Sequence, residues 1–196
     1  MRFLGLADLE DGTIVFKGLP ASAPIMNISS DEEPIFPKSY EFYEYQEQAQ
    51  RVRSGKEEIS YLVNQALRER AIESHTNLIN MMAERLRQHG AVPRSNRYVD
   101  LSSRVGGFDF LFEMKSSTPE NLHDQIRRGL SQLYEYRYIQ NVENARLVLV
   151  VETPLESSSE WMIEYLLSDR GILFVWDGNG KFFFPERISQ QLPFLI

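Results

Sequence analysis

Cysteine is absent from these 196 residues, which excludes disulfides, zinc–thiolate sites and thiol nucleophiles. Histidine is scarce, at three, and no nucleophile-elbow pattern occurs, so a Ser–His–Asp hydrolase has no support. No Walker loop or dinucleotide fingerprint is present, which leaves nucleotide binding without a motif. No apolar run reaches the roughly 20 residues a membrane helix needs. The opening residues show no charged-then-apolar leader. The expectation is a cytoplasmic protein without a membrane partner. Basic residues are outnumbered, 21 Lys and Arg against 28 Asp and Glu, for a net charge of −7. Phosphate contacts are made by Lys and Arg, so a broad, tightly held nucleic-acid surface is disfavoured. Local basic clusters remain open to the chain, with Arg85, Arg87, Arg94, Arg97 and Arg104 as candidates. What is present in quantity is core material: 42% of the residues are hydrophobic, enough for one compact domain.

The most informative stretch runs from Tyr98 to Lys115. Two strand-like runs flank Gly106-Gly107, a pair that favours a two-residue hairpin turn. Centring the turn there pairs Val105 with Phe108, Asp100 with Glu113 and Tyr98 with Lys115. Alternation then puts Asp100, Glu113 and Lys115 on one face, with Val99, Leu101, Phe110, Phe112 and Met114 on the other. Opposed carboxylates repel. A hard divalent cation removes that penalty, because Mg²⁺ prefers oxygen ligands and commonly uses one or two carboxylates. A lysine in the same space can hold an attacking water or steady charge developing on a phosphoryl group. A solvated strand face with an ordinary Glu–Lys pair is the plainer alternative.

A carboxylate on one strand followed by Glu-x-Lys on the next resembles the PD-(D/E)XK superfamily, the restriction-endonuclease-like phosphodiesterases. Here the matching residues are Asp100 and Glu113-Met114-Lys115. The resemblance implies Asp100 and Glu113 as metal ligands for Mg²⁺, with Mn²⁺ able to substitute, and Lys115 as the catalytic lysine. Asp109 lies opposite Arg104 and reads as an ion-pair partner rather than a ligand. Downstream, Gln132-Leu133-Tyr134-Glu135-Tyr136 fits the Gln-x-x-x-Tyr motif of the RecB-like branch. Its spacing puts Gln132 and Tyr136 on one helix face, and the resemblance implies that they order the site or contact the nucleic-acid backbone. Arg127 and Arg128 on that helix suit either phosphate or plain surface. Family members often add an acidic residue or a histidine from the preceding helix. Glu73 and His75 are the candidates, with periodicity favouring His75 and family habit favouring Glu73.

Element order supports the same reading. Ala71 to His89 has helical spacing through Ile72, His75, Leu78, Ile79, Met82 and Leu86, with Gly90 as a stop. A helix is expected from about Glu120 to Tyr138, a strand over Ala145–Glu152 and a helix over Ser159–Ser168. Strands at Ile172–Trp176 and Lys181–Phe184 should flank an Asp177-Gly178-Asn179-Gly180 turn. The fold class expected is α/β, with a restriction-endonuclease-like core of helix, β-hairpin, helix, strand, helix and strands, its mixed central sheet flanked by helices. Residues 57–196 would form that core. Residues 1–56 would be an N-terminal extension, with a hairpin around Asp11-Gly12, a Pro- and Ser-rich loop and a helical segment. Tyr40, Phe42, Tyr43 and Tyr45 read as core or interface before base-stacking residues.

The expected function is Mg²⁺-dependent hydrolysis of phosphodiester bonds, most naturally in DNA, in restriction, repair or defence. The alternative is a non-catalytic subunit of the same fold that binds a protein partner or nucleic acid within a larger complex. A third reading is an unrelated α/β protein whose charged hairpin face is merely wet. The N-terminal region is the candidate surface for a protein partner, and pairing into a homodimer would suit cleavage of two strands.

Overall fold

The structure is a computed structural model that describes residues 7–10, 13–16, 41–47 and 59–196. The chain divides into two compact units, Met1–Phe36 and Pro37–Ile196. In the first, β1 (Ala7–Glu10) pairs antiparallel with β2 (Thr13–Phe16). The Asp11-Gly12 turn and the expected Pro- and Ser-rich loop lie outside the described residues.

The second unit is built on a mixed sheet of seven strands. In chain order they are β3 (Tyr43–Glu44), β4 (Arg94–Ser95), β5 (Leu101–Val105), β6 (Phe108–Lys115), β7 (Arg146–Val151), β8 (Ile172–Asp177) and β9 (Phe182–Phe183). Their spatial order is the same. β6, β7 and β8 run parallel to one another, and every other pairing is antiparallel. Three helices accompany them: α1 (Ile59–Gln88), α2 (Leu122–Ile139) and α3 (Trp161–Glu164), the last continuing as a π-helical turn over Tyr165–Asp169. β3 extends the sheet into the stretch expected to be N-terminal extension. No helix among the described residues is long and apolar enough to cross a membrane.

Two apolar layers cover the sheet. On one face Leu101, Phe110, Phe112 and Met114 meet Leu78, Met82 and Leu86 of α1, and the 3₁₀ turns at 186–195 add Ile188, Leu192 and Phe194. Phe194 packs edge-on against both Phe110 and Phe112, with ring centroids 5.3 and 5.7 Å apart. On the other face Leu111, Leu147, Leu149 and Phe174 meet Ile126 and Leu133 of α2 and Met162 of α3. The parallel strands are therefore buried on both sides, as crossover connections require. That is why residues 147–151 and 172–175 read as unbroken apolar runs.

The hairpin has its expected register: Val105 faces Phe108 and Leu101 faces Phe112. Gly106 and Gly107 adopt φ of +58° and +87°, the two positive values of the turn that matches strand twist. α1 stops where expected, with Gly90 at φ +78°. The Ala91 N–H then reaches back to Leu86 O at 2.9 Å, which satisfies a carbonyl the helix end would otherwise orphan. α1 starts at Ile59 and joins into one helix the helical spacing of Glu57–Arg70, through Ile59, Leu62, Val63 and Leu67, and the helix expected from Ala71. Ile72, expected on its buried stripe, is 67% exposed. The buried stripe starts at Leu78, where the helix reaches the sheet.

One expectation for the hairpin needs correction. The strand pairing stops at Leu101, so Tyr98 does not oppose Lys115. Asn96 is the reason: its side-chain oxygen accepts the Tyr98 and Val99 N–H groups at 3.0 and 2.8 Å. This Asx turn bends the chain before the strand begins. Val99 consequently packs into the α2 layer rather than beside Leu101. The charged face is not the solvated one that the plainer alternative described. α2 lies over it, and Glu113 is 1% exposed.

Candidate active site

Glu113 and Lys115 end the strand β6, and Asp100 stands just before β5, so all three gather where parallel strands finish. Ligands of open α/β sheets bind at such carboxyl ends. Asp100 does not continue the backbone ladder. Instead its carboxylate accepts the Met114 N–H at 2.9 Å, a side chain replacing the missing main-chain partner. The same oxygen lies 3.1 Å from His75 Nε2 on α1. The Lys115 ammonium donates to Oε1 of Glu113. The second Glu113 oxygen, Oε2, is buried without a hydrogen-bond partner.

An orphaned carboxylate oxygen is costly, and its titration reflects that. Burial raises the Glu113 carboxyl first, the charge on Asp100 raises it further, and Lys115 and His75 pull it back; the result is about 7. His75 is pulled down by burial. The hydrogen bond and charge of Asp100, with Glu113 behind it, more than offset this, and its net shift is upward. His75, Asp100, Glu113 and Lys115 thus lie within electrostatic reach of one another.

α2 closes the site from above. Gly129 allows this approach: a Cβ there would lie 2.4 Å from Leu149 Cδ1 and 3.6 Å from Glu113 Cγ. One turn further on, Gln132 Nε2 donates to the Tyr136 hydroxyl oxygen at 2.9 Å. That leaves the phenolic proton available to the Glu113 carboxylate. Burial, followed by the charges of Glu113 and Asp100, holds the Tyr136 phenol in its protonated form well above the usual tyrosine range.

The sequence candidates sort cleanly. Asp100, Glu113, Lys115, His75, Gln132 and Tyr136 converge. Glu73 does not join them; it lines a separate cleft beside the site. Asp109 sits at the turn end of the hairpin, 3.8 Å from Arg104. Of the arginines, Arg87 is held by Glu47 and the Tyr45 carbonyl, and Arg127 is paired with Asp124. Tyr45 is buried in the α1 layer, whereas Tyr43 is exposed.

Sequence reasoning missed Glu152, the residue after β7. Its N–H donates to Lys115 O at 3.1 Å, and its carboxylate accepts the Ser117 N–H at 3.0 Å and pairs with Arg70 of α1 at 2.5 Å. Ser117 in turn accepts two hydrogen bonds from Thr153, the N–H to its Oγ and the hydroxyl to its carbonyl. Together these fix the end of β6 against the end of β7. The available signal was a lone carboxylate terminating an apolar parallel strand.

Among the described residues, no three His, Asp or Glu side chains group closely enough to hold a metal ion by themselves. The carboxylates gathered beside His75 are Asp100 and Glu113, each acting on the other's surroundings. No protein-family model matches the chain, and no curated protein is similar to it.

Proposed function

We propose that the chain is a metal-dependent nuclease with a restriction-endonuclease-like core, hydrolysing phosphodiester bonds of DNA. The observation that carries this reading is Oε2 of Glu113, a buried carboxylate oxygen without a partner, close to a second carboxylate at the end of parallel strands. Structural ion pairs satisfy their oxygens; this one leaves an oxygen open while the charge of Asp100 acts on the same carboxyl. Two carboxylates suit Mg²⁺, which takes one or two together with waters and phosphate oxygens. Asp100 and Glu113 would hold Mg²⁺ or Mn²⁺, and the bound cation supplies charge that polarises a phosphoryl group.

The remaining roles follow from the chain's own groups. Hydrolysis joins a water oxygen to phosphorus, breaks the bond to the leaving sugar oxygen and returns a proton to that oxygen. An ammonium has three donors. Lys115 spends one on Glu113, so two remain for a water and a phosphoryl oxygen. His75 orients Asp100 through its 3.1 Å contact. Tyr136, held by Gln132, stands close enough for the Glu113 charge to act on its phenol. Among the two helix candidates, contact with Asp100 favours His75 over Glu73.

The test is incubation of supercoiled, linear and single-stranded DNA with the protein and Mg²⁺ or Mn²⁺, beside Lys115→Ala. Metal-dependent cutting that the variant loses is the expected result. Absence of cutting with either metal would overturn the reading in favour of a non-catalytic subunit, which the net charge of −7 already suits.

A further inference from the structure

Beside the site lies a cleft of about 450 Å³, within the usual range for small-ligand pockets, about 300–1,000 Å³. It joins the site at two places. Ser74 lines it on α1, next to His75, and Glu152 lines it at the end of β7, hydrogen-bonded to Lys115 O. Its walls carry the carboxylates Glu73, Glu152 and Asp177 against Arg70. Arg70 is already engaged by Glu152 at 2.5 Å. A phosphate entering here would meet an excess of like charge. A neutral group rich in N–H donors would meet acceptors instead.

Nucleobases are such groups. Exocyclic amines of cytosine and adenine donate to carboxylates and to amide oxygens, and an asparagine such as Asn77 can both donate and accept. Asn77 also lines this cleft. We propose that the cleft receives one unpaired nucleobase of the substrate, next to the nucleotide whose phosphate lies at Asp100, Glu113 and Lys115. A base in a duplex has its pairing edge occupied and is stacked, so it must be extruded before it can enter such a pocket. The preferred substrate is therefore a single strand or a frayed end. This deepens the nuclease reading and rests on it for the placement of the phosphate.

The experiment uses the full chain and labelled short oligonucleotides: a single strand, the same strand with one abasic position moved along it, and the duplex. Binding is followed by fluorescence anisotropy in chelator, and cutting is followed separately in Mg²⁺. The single strand should bind about tenfold or more tightly than the duplex, and one abasic position should lose about tenfold, the scale of a lost base contact. Asn77→Ala, at an exposed helix position, should erase the difference between intact and abasic strands. Free nucleosides competing as well as the strand would show that the cleft serves a soluble ligand, and would overturn the proposal. Equal binding of intact and abasic strands, or a preference for duplex, would overturn it too. Metal-dependent cutting indifferent to the abasic position would sink the cleft and leave the nuclease. Base-dependent binding without cutting would do the reverse.

Discussion

At Glu113 a buried carboxylate competes with its own proton. Its pKa is raised from 4.5 to about 7, so between those values the native chain holds a proton that the unfolded chain has released. Stability must fall as pH rises through that window. Metal-free protein is expected to be more stable at pH 5 than at pH 8, with Glu113 contributing on the order of 3 kcal/mol. Urea denaturation in chelator, compared with Glu113→Gln, isolates that contribution; parallel pH profiles in the two proteins would refute it. A cation at the carboxylate pair should oppose the loss. At pH 8, Mg²⁺ at a hundredfold excess over its Kd is expected to add about 2.7 kcal/mol to the wild type and little to Glu113→Gln. Lys115→Arg should lose cutting as Lys115→Ala does, because a planar guanidinium does not replace a compact ammonium; retained cleavage would demote Lys115 to a structural partner. Glu113 and Lys115 were legible because a Gly-Gly turn and strand alternation fix their face, and Asp100 joins them from outside the ladder, by accepting the Met114 N–H. Tyr98 and Val99 were not, because Asn96 captures their amides and ends the alternation that the reading relied on.

The elements differ in how plainly they announced themselves. β7 and α2 were readable within a few residues, β7 as a short apolar run and α2 from helical spacing over a long window. β9, at Phe182–Phe183, falls inside the expected Lys181–Phe184 strand, whereas β3 and β4 are two residues each, too short for any pattern to register. β6 left two readings open. Its alternation of Phe110, Phe112 and Met114 with Asp109, Glu113 and Lys115 describes a strand wet on one side, yet α2 covers that side. The covering depends on Gly129, where only hydrogen allows the helix to approach Leu149 so closely. Gly129→Val should destabilise by about 2 kcal/mol or more, the scale of forced overpacking. It should also depress cutting beyond the loss of folded protein, because lifting α2 moves Tyr136 away from Glu113. Thermal melting together with single-turnover rates separates the two effects, and an unchanged rate per folded molecule would mean that α2 does not set the site.

At the scale of the whole molecule, the acidic balance and the engagement of Arg70, Arg87, Arg104, Arg127, Arg170 and Arg187 by acidic partners leave fewer cations to displace counterions. Binding to single strands should weaken only modestly with salt, with a log–log slope of magnitude about 2 or less against the 6–10 phosphates engaged by broad DNA binders. Anisotropy titrations at several salt concentrations measure that slope directly, and a steep one would mean that a basic track runs elsewhere on the surface. The layering of the second unit has another consequence, one of timing. All seven strands have been synthesised by residue 183, but Ile188, Leu192 and Phe194, which finish the α1 layer, come after them. Chains emerge from the ribosome at about 5–20 residues per second and fold as domains become complete. A nascent chain halted before residue 186 would hold a whole sheet with Phe110 and Phe112 uncapped. Stalled chains of that length should be cut readily by protease, and chains extended past Phe194 should resist. Birth of the stable fold is thus set by ten residues that belong to neither strand nor long helix.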